Sequence, residues 1–180
     1  MAPLSDVHQD NYLAELELIA GFTHGAQQLY FQWLRQQAKR VELAPIQTLA
    51  SDLRLTAAWV QRHCRLKACY YNAAQVCELD PEIRYEEGTL LIQGIISTPH
   101  AWNSFRGIHF DVTTEVLLDS HTDPHYQLIS YDALQLGEAL LQDQDEQQRV
   151  CYRDLVPEHF EQYVLPLLQP GRKGRSRRRA

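Results

Sequence analysis

Apolar residues recur at helical spacing along the front of the chain: Leu13, Leu16, Ile19 and Ala20, then Ala26, Leu29, Tyr30, Trp33 and Leu34. This predicts helix over residues 10–41, broken between Gly21 and Gly25, with the aromatic stripe turned into the core. Pro45 opens a further helical stretch, and residues 52–63 continue as one helix with Leu53, Ala57 and Val60 inward. The segment CYYNAAQVCEL, residues 69–79, is helical again, with Ala73, Val76 and Cys77 on one side until Asp80-Pro81 stops it. The period then changes. IRYEEGTLLIQGIIS is rich in β-branched residues, and HAWNSF and IHFDVT flank Arg106-Gly107 as the two arms of a hairpin. Helical spacing resumes over residues 131–141 and 158–168. Helices, antiparallel strands and helices again make an α+β layout. Neither a repeat nor a low-complexity linker interrupts residues 1–170, so they read as a single domain: a helical part 10–64, a core 65–142 and a C-terminal helix 158–168.

At 180 residues such a domain buries a core without disulfides or metals to hold it. The apolar fraction is 44%, and no apolar run approaches the roughly 18 residues of a membrane span. The first residues, MAPLSDVHQD, lack the basic-then-apolar pattern of a signal peptide, so the expectation is a cytoplasmic protein with no membrane association. Charge is unevenly placed. The last nine residues, RKGRSRRRA, hold six of the 17 Lys and Arg, which leaves 11 basic against 23 acidic side chains over residues 1–171, a net of −12. An acidic body argues against a nucleic-acid-binding face on the domain. Residues 171–180 read as a disordered basic tail with nothing to bury. Two roles fit it, a plain solvated end or a weak polyanion contact through residues 172–179 by counterion release.

Four cysteines, Cys64, Cys69, Cys77 and Cys151, form neither a CxxC nor a zinc-type spacing, so free thiols are expected. Their settings differ. Cys69 lies in the first turn of its helix, where unpaired backbone N–H groups and the positive dipole end favour a thiolate, with Arg65 and Lys67 just upstream. Cys77 is late in the same helix, Cys64 late in the preceding one, and Cys151 follows an acidic, Gln-rich stretch; these read as structural thiols.

A candidate base comes from the hairpin. A two-residue turn at Arg106-Gly107 pairs Phe105 with Ile108, hence Trp102 with Asp111 and His100 with Thr113. His100, Trp102, Ser104, His109, Asp111 and Thr113 then share a face, and His100 and Asp111 are diagonal neighbours. One nitrogen of His100 can take the proton of Cys69 while the other donates to Asp111. A rival use of the same face is a metal site of His100, His109 and Asp111, with His121-Thr122-Asp123-Pro124-His125 close behind. That reading leaves the helix-start cysteine idle, and the later histidines sit in a turn-rich loop where polar residues need no special reason.

The segments Cys69-Tyr70-Tyr71-Asn72-Ala73, Tyr85-Glu86-Glu87-Gly88, His100-Ala101-Trp102 and Asp111-Val112-Thr113 resemble a group of poorly characterised bacterial and phage proteins with the pattern C-Y-x-N-A, Y-x-E-G, H-A-W, D-x-T. The likeness covers about residues 60–140. In order and spacing these segments also resemble the transglutaminase-like branch of the papain-like cysteine hydrolases, where a cysteine opens a helix, H-A-W begins a strand and D-P-T ends the next. Val112 stands where that branch usually has proline. The resemblance implies a papain-like fold, with helices flanking a small antiparallel sheet and the nucleophile at a helix N-terminus. It also implies acyl transfer by a Cys69-His100-Asp111 triad on a peptide, protein or small amide, chemistry that calls on no cofactor. Tyr85 and Glu87 carry over as site-wall residues. Asn72 reads either as an oxyanion donor or as a buried amide, and Trp102 either as a shield for the histidine or as plain core. Protease, amidase, deamidase and transamidase activity all fit the triad, and so does an inactive binding module on the same fold.

Overall fold

The computed structural model describes residues 5–93, 96–118 and 123–142. It shows a mixed α/β fold in which helices pack against a curled, antiparallel five-stranded sheet. Cys151, the expected helix 158–168 and the basic tail lie outside the described residues, as does His121.

Two helices lead the chain, α1 (Ser5–Phe22) and α2 (Ala26–Gln37), and the break between them falls at Gly25, whose φ of 64° suits a glycine. Helix was expected to run to residue 41. Instead Ala38 turns extended and Lys39–Val41 forms strand β1, paired with residues 125–127 far along the chain. The expected helix 52–63 is likewise split into α3 (Ala50–Leu53) and α4 (Ala57–His63). Arg54 adopts a left-handed conformation, and Thr56 starts α4 by accepting the Trp59 N–H at 3.2 Å. The chain reversal drives Leu55 fully into the core. Helix α5 (Cys69–Cys77) follows.

Strands β2 (Ile83–Ile92) and β3 (Ile96–Phe105) pair along their whole length, and β4 (Ile108–Phe110) joins β3 through the Arg106-Gly107 turn. Both turn residues have positive φ, 52° and 82°, the geometry whose twist suits a two-residue hairpin. A fifth strand, β5 (His125–Tyr131), falls where a loop and a helix start were expected, and α6 (Ala133–Gln142) follows it. The sheet order is β1-β5-β2-β3-β4. Just past β1, Leu43 bridges His109 of β4, and the Ala44 N–H donates to the His109 carbonyl at 2.8 Å. Segments next to opposite edges of the sheet therefore meet, which curls it.

One face carries Ile83, Tyr85, Ala101 and Phe105 against Ala73, Val76 and Cys77 of α5, the main core. A second cluster joins Tyr12, Leu16, Tyr30 and Leu34 of the helical pair to Leu91 and Tyr126 of the sheet. Between β2 and β5 the register shifts at Glu87/Gly88. A Cβ on Gly88 would stand 1.9 Å from the Tyr126 carbonyl oxygen and 3.0 Å from the Trp102 ring, so only glycine lets the two strands approach. Gly88→Ala should cost at least the upper part of the ~1–3 kcal/mol typical of overpacking, read as a fall in the midpoint of urea denaturation, because backbone rather than a flexible side chain must yield. Among the described residues no helix is long and apolar enough to cross a membrane.

Candidate active site

Three pieces of chain converge where β4 ends. Beyond residue 103 towards its N-terminus, β3 has no partner strand on the β4 side among the described residues, because β4 pairs only with residues 103–105. Into that space come the first turn of α5 and the wide helical turn Thr113–Leu117. Asn72 joins them. Its Nδ2 donates to the Thr113 hydroxyl at 3.0 Å and to the Arg65 carbonyl at 2.8 Å, while its Oδ1 accepts the Arg65 N–H at 2.7 Å. Every polar atom of this fully buried amide is thus engaged. Asn72 is a strut that fixes the approach of the Cys69 helix to the Asp111 turn, and its amide is not free to meet an oxyanion.

Asp111 ends the strand by its own hydrogen bonds. Its Oδ1 accepts the N–H groups of Thr113 (2.8 Å) and Thr114 (3.3 Å), and the Glu115 N–H reaches the Asp111 carbonyl at 3.1 Å. Such local side-chain bonds compete with the strand ladder, so the expected Trp102–Asp111 pairing is replaced by a capped turn. The other oxygen, Oδ2, accepts the Thr114 hydroxyl (2.7 Å) and His100 Nε2–H (2.7 Å), and His125 Nε2 lies 3.1 Å from it. Cys69 is the further group that acts on His100, adding to the pull of Asp111 on its proton. With Nε2 taken by Asp111, Nδ1 is the nitrogen that remains for it.

Cys69 is partly exposed at the helix start, whereas His100 and Asp111 are 5% and 1% exposed. Burial alone would push His100 down, but the Asp111 charge and hydrogen bond, helped by Cys69, raise it to about 10. Burial would likewise raise Asp111; His100 and then His125 outweigh it and hold the carboxyl well below the usual range. The other two described thiols are of a different kind. Burial pushes Cys64 up to about 11 and Cys77 up to about 12, the latter despite a hydrogen bond from Asn103 Nδ2 at 3.3 Å.

The remaining sequence candidates hold the site from behind. The Trp102 ring lies nearly parallel to His100, centroids 6.4 Å apart, and edge-on to His125 at 5.1 Å. It is 1% exposed, and its Nε1–H donates to His109 Nδ1 at 3.2 Å. Tyr85 and Glu87 are both fully buried, with the Tyr85 hydroxyl donating to Glu87 Oε1 at 2.7 Å, so neither borders solvent. Glu86 is buried on the opposite face, accepting Ser104 (2.6 Å), Ser130 (3.0 Å) and Gln127 (2.7 Å).

The grouping of His100, His109 and Asp111 does not form. Burial lowers His109, which serves as acceptor for Trp102, and it is His125 whose ring nitrogen lies within 4.8 Å of a ring nitrogen of His100 and a carboxylate oxygen of Asp111. His125, set aside on sequence as one of the histidines of a turn-rich loop, instead opens strand β5. The signal available was HYQLISY, a short strand pattern following the turn at Asp123-Pro124. Comparison with family models, curated proteins and solved structures finds no match to this chain.

Proposed function

We propose that this chain is a cysteine-dependent acyl-transfer enzyme of the papain-like, transglutaminase-like kind, acting on a peptide, protein or small amide. The observation that carries the reading is the relay from Cys69 through His100 to Asp111, with the thiol partly exposed at a helix start and both partners buried behind it. In the proposed cycle the Cys69 proton already rests on Nδ1 of His100 near neutral pH, and the thiolate sulfur attacks the amide carbonyl carbon. Asp111 holds Nε2–H and supports the imidazolium. The first ladder bond of α5 runs from the Asn72 N–H to the Ala68 carbonyl, which leaves the Cys69 N–H ahead of the ladder to meet the oxyanion. Collapse of the tetrahedral intermediate breaks the C–N bond, the imidazolium gives its proton to the departing amine, and water or a second amine resolves the thioester.

Alkylation tests this without a known substrate. Treated with limiting iodoacetamide near neutral pH and mapped by peptide mass, Cys69 should react at least ~10-fold faster than Cys64 and Cys77, which are buried and titrate far above neutrality. His100→Ala should remove most of that advantage. Comparable rates at every cysteine would sink the assignment.

A further inference from the structure

We propose that Nε2 of His100, Nε2 of His125 and Oδ2 of Asp111 form a binding site for a divalent transition-metal ion, zinc foremost. One ligand atom from each of the three residues lies within 4.8 Å of the other two, and the two Nε2 nitrogens stand 2.7 Å and 3.1 Å from the same oxygen. Zinc–ligand bonds of about 2.0–2.1 Å in tetrahedral geometry separate the ligand atoms by roughly 3.3 Å. Against that separation the His125 contact of 3.1 Å needs little change and the His100 contact of 2.7 Å must open by about 0.6 Å, while the two nitrogens, held within 4.8 Å of each other, settle to the same spacing around the ion.

The hydrogen bonding around His125 points the same way. Its Nδ1 lies 2.9 Å from the Asp123 carbonyl oxygen, and a carbonyl can only accept, so Nδ1 carries a proton. Anchoring of the outer N–H on a backbone carbonyl is how proteins orient a metal-binding imidazole. Nε2 is then aimed at a carboxylate oxygen, and two acceptors in contact need positive charge between them, either a proton or a metal ion. His100 is disposed similarly, with Nε2 on Asp111 and its other side on Cys69. Asp111 needs no rearrangement, since Oδ1 is fixed by two backbone N–H groups and Oδ2 by the Thr114 hydroxyl. Two imidazoles and one carboxylate suit zinc, cobalt(II) or iron(II) rather than calcium or magnesium, and three protein ligands leave one position open.

Binding here does not depend on the thiol chemistry, but its consequence rests on that reading. An imidazole that gives its Nε2 lone pair to a metal keeps its proton on Nδ1 and has no lone pair left for the Cys69 proton. The ion and the acyl-transfer relay are thus mutually exclusive, and the metal-loaded form is the inactive one.

The test uses the full chain, stripped with a chelator and titrated with Zn2+ by calorimetry and with Co2+ by visible absorption. One ion per chain is expected, with cobalt d–d bands and no thiolate-to-cobalt charge-transfer band. Affinity should hold within about threefold in Cys69→Ala and His109→Ala and fall about 100-fold or more in His125→Gln, the loss expected for a ligand rather than an outer partner. Circular dichroism of each variant checks folding, and the wild-type cobalt spectrum decides independently of any variant. Absence of binding, a charge-transfer band, loss of binding in Cys69→Ala, or unchanged binding in folded His125→Gln would each overturn the proposal. The thiol assignment is read separately, from metal-free alkylation, so either can fail alone.

Discussion

Asp111→Ala is expected to destabilise the protein by about 3–5 kcal/mol, the cost of removing one partner from a buried, hydrogen-bonded charge pair. The carboxylate is 1% exposed, accepts two backbone N–H groups, a hydroxyl and the His100 imidazole, and touches the His125 imidazole, so alanine would strand at least four donors in a site closed to water. Against a total stability of about 5–15 kcal/mol for a domain, that loss is a large fraction and shows directly in urea denaturation. Asp111→Asn should cost much less, since an amide keeps an acceptor for the backbone and offers N–H to two imidazoles. The pH dependence separates charge from shape. His100 is raised to about 10 in the folded state, so its contribution is complete below about 6.5 and is lost as pH climbs towards 10. Asp111 is lowered, so its contribution is present above about 4 and is lost as pH falls. The pair therefore stabilises most between about pH 4 and 6.5, and Asp111→Asn should flatten both limbs. An asparagine variant with the wild-type pH profile would show that this pair does not carry the dependence.

Local chemistry was readable wherever neighbouring residues decide the conformation. Arg106-Gly107 fixes its own turn, and with it the Phe105–Ile108 register that brings His100 and Asp111 to one end of the hairpin. Cys69 stands at a helix start that Asp80-Pro81 closes some ten residues later. What escaped depends on pairings between distant segments. Lys39–Val41 leaves the helical pattern because β5 takes it as a neighbour, and β5 itself is sandwiched between β1 and β2. His125 owes its place on Asp111 to that pairing, opposite Val41 and Leu90, and nothing within HTDPH announces it. The same limit applies to Asn72. Its position one turn into the Cys69 helix is local, but its partners Arg65 and Thr113 are 7 and 41 residues away. Only the second partner shows that it braces the site.

Once a substrate is found, Cys69→Ala and His100→Ala should each lower kcat/KM by about 10^3-fold or more, and the double variant should be scarcely worse than either. The reason lies in the relay: the thiol and the imidazole serve one proton transfer, so removing either leaves nothing for the other to do, and their effects do not add. Asp111 acts through His100 and touches neither sulfur nor substrate, so Asp111→Asn should retain about 10–100-fold more activity than Cys69→Ala. The amide keeps the turn at residues 111–117 in shape but loses the charge that supports the imidazolium and, by offering N–H to His100 Nε2, favours the tautomer whose Nδ1 already carries a proton. His109→Ala is the control. Its ring accepts from Trp102 and lies off the line from Cys69 to Asp111, so folded protein should turn over within a few-fold of wild type. Full activity in Cys69→Ala would end the thiol mechanism, whatever the other variants do. If that activity required added zinc and vanished in His125→Gln, the cluster of His100, Asp111 and His125 would be the catalytic centre in its place.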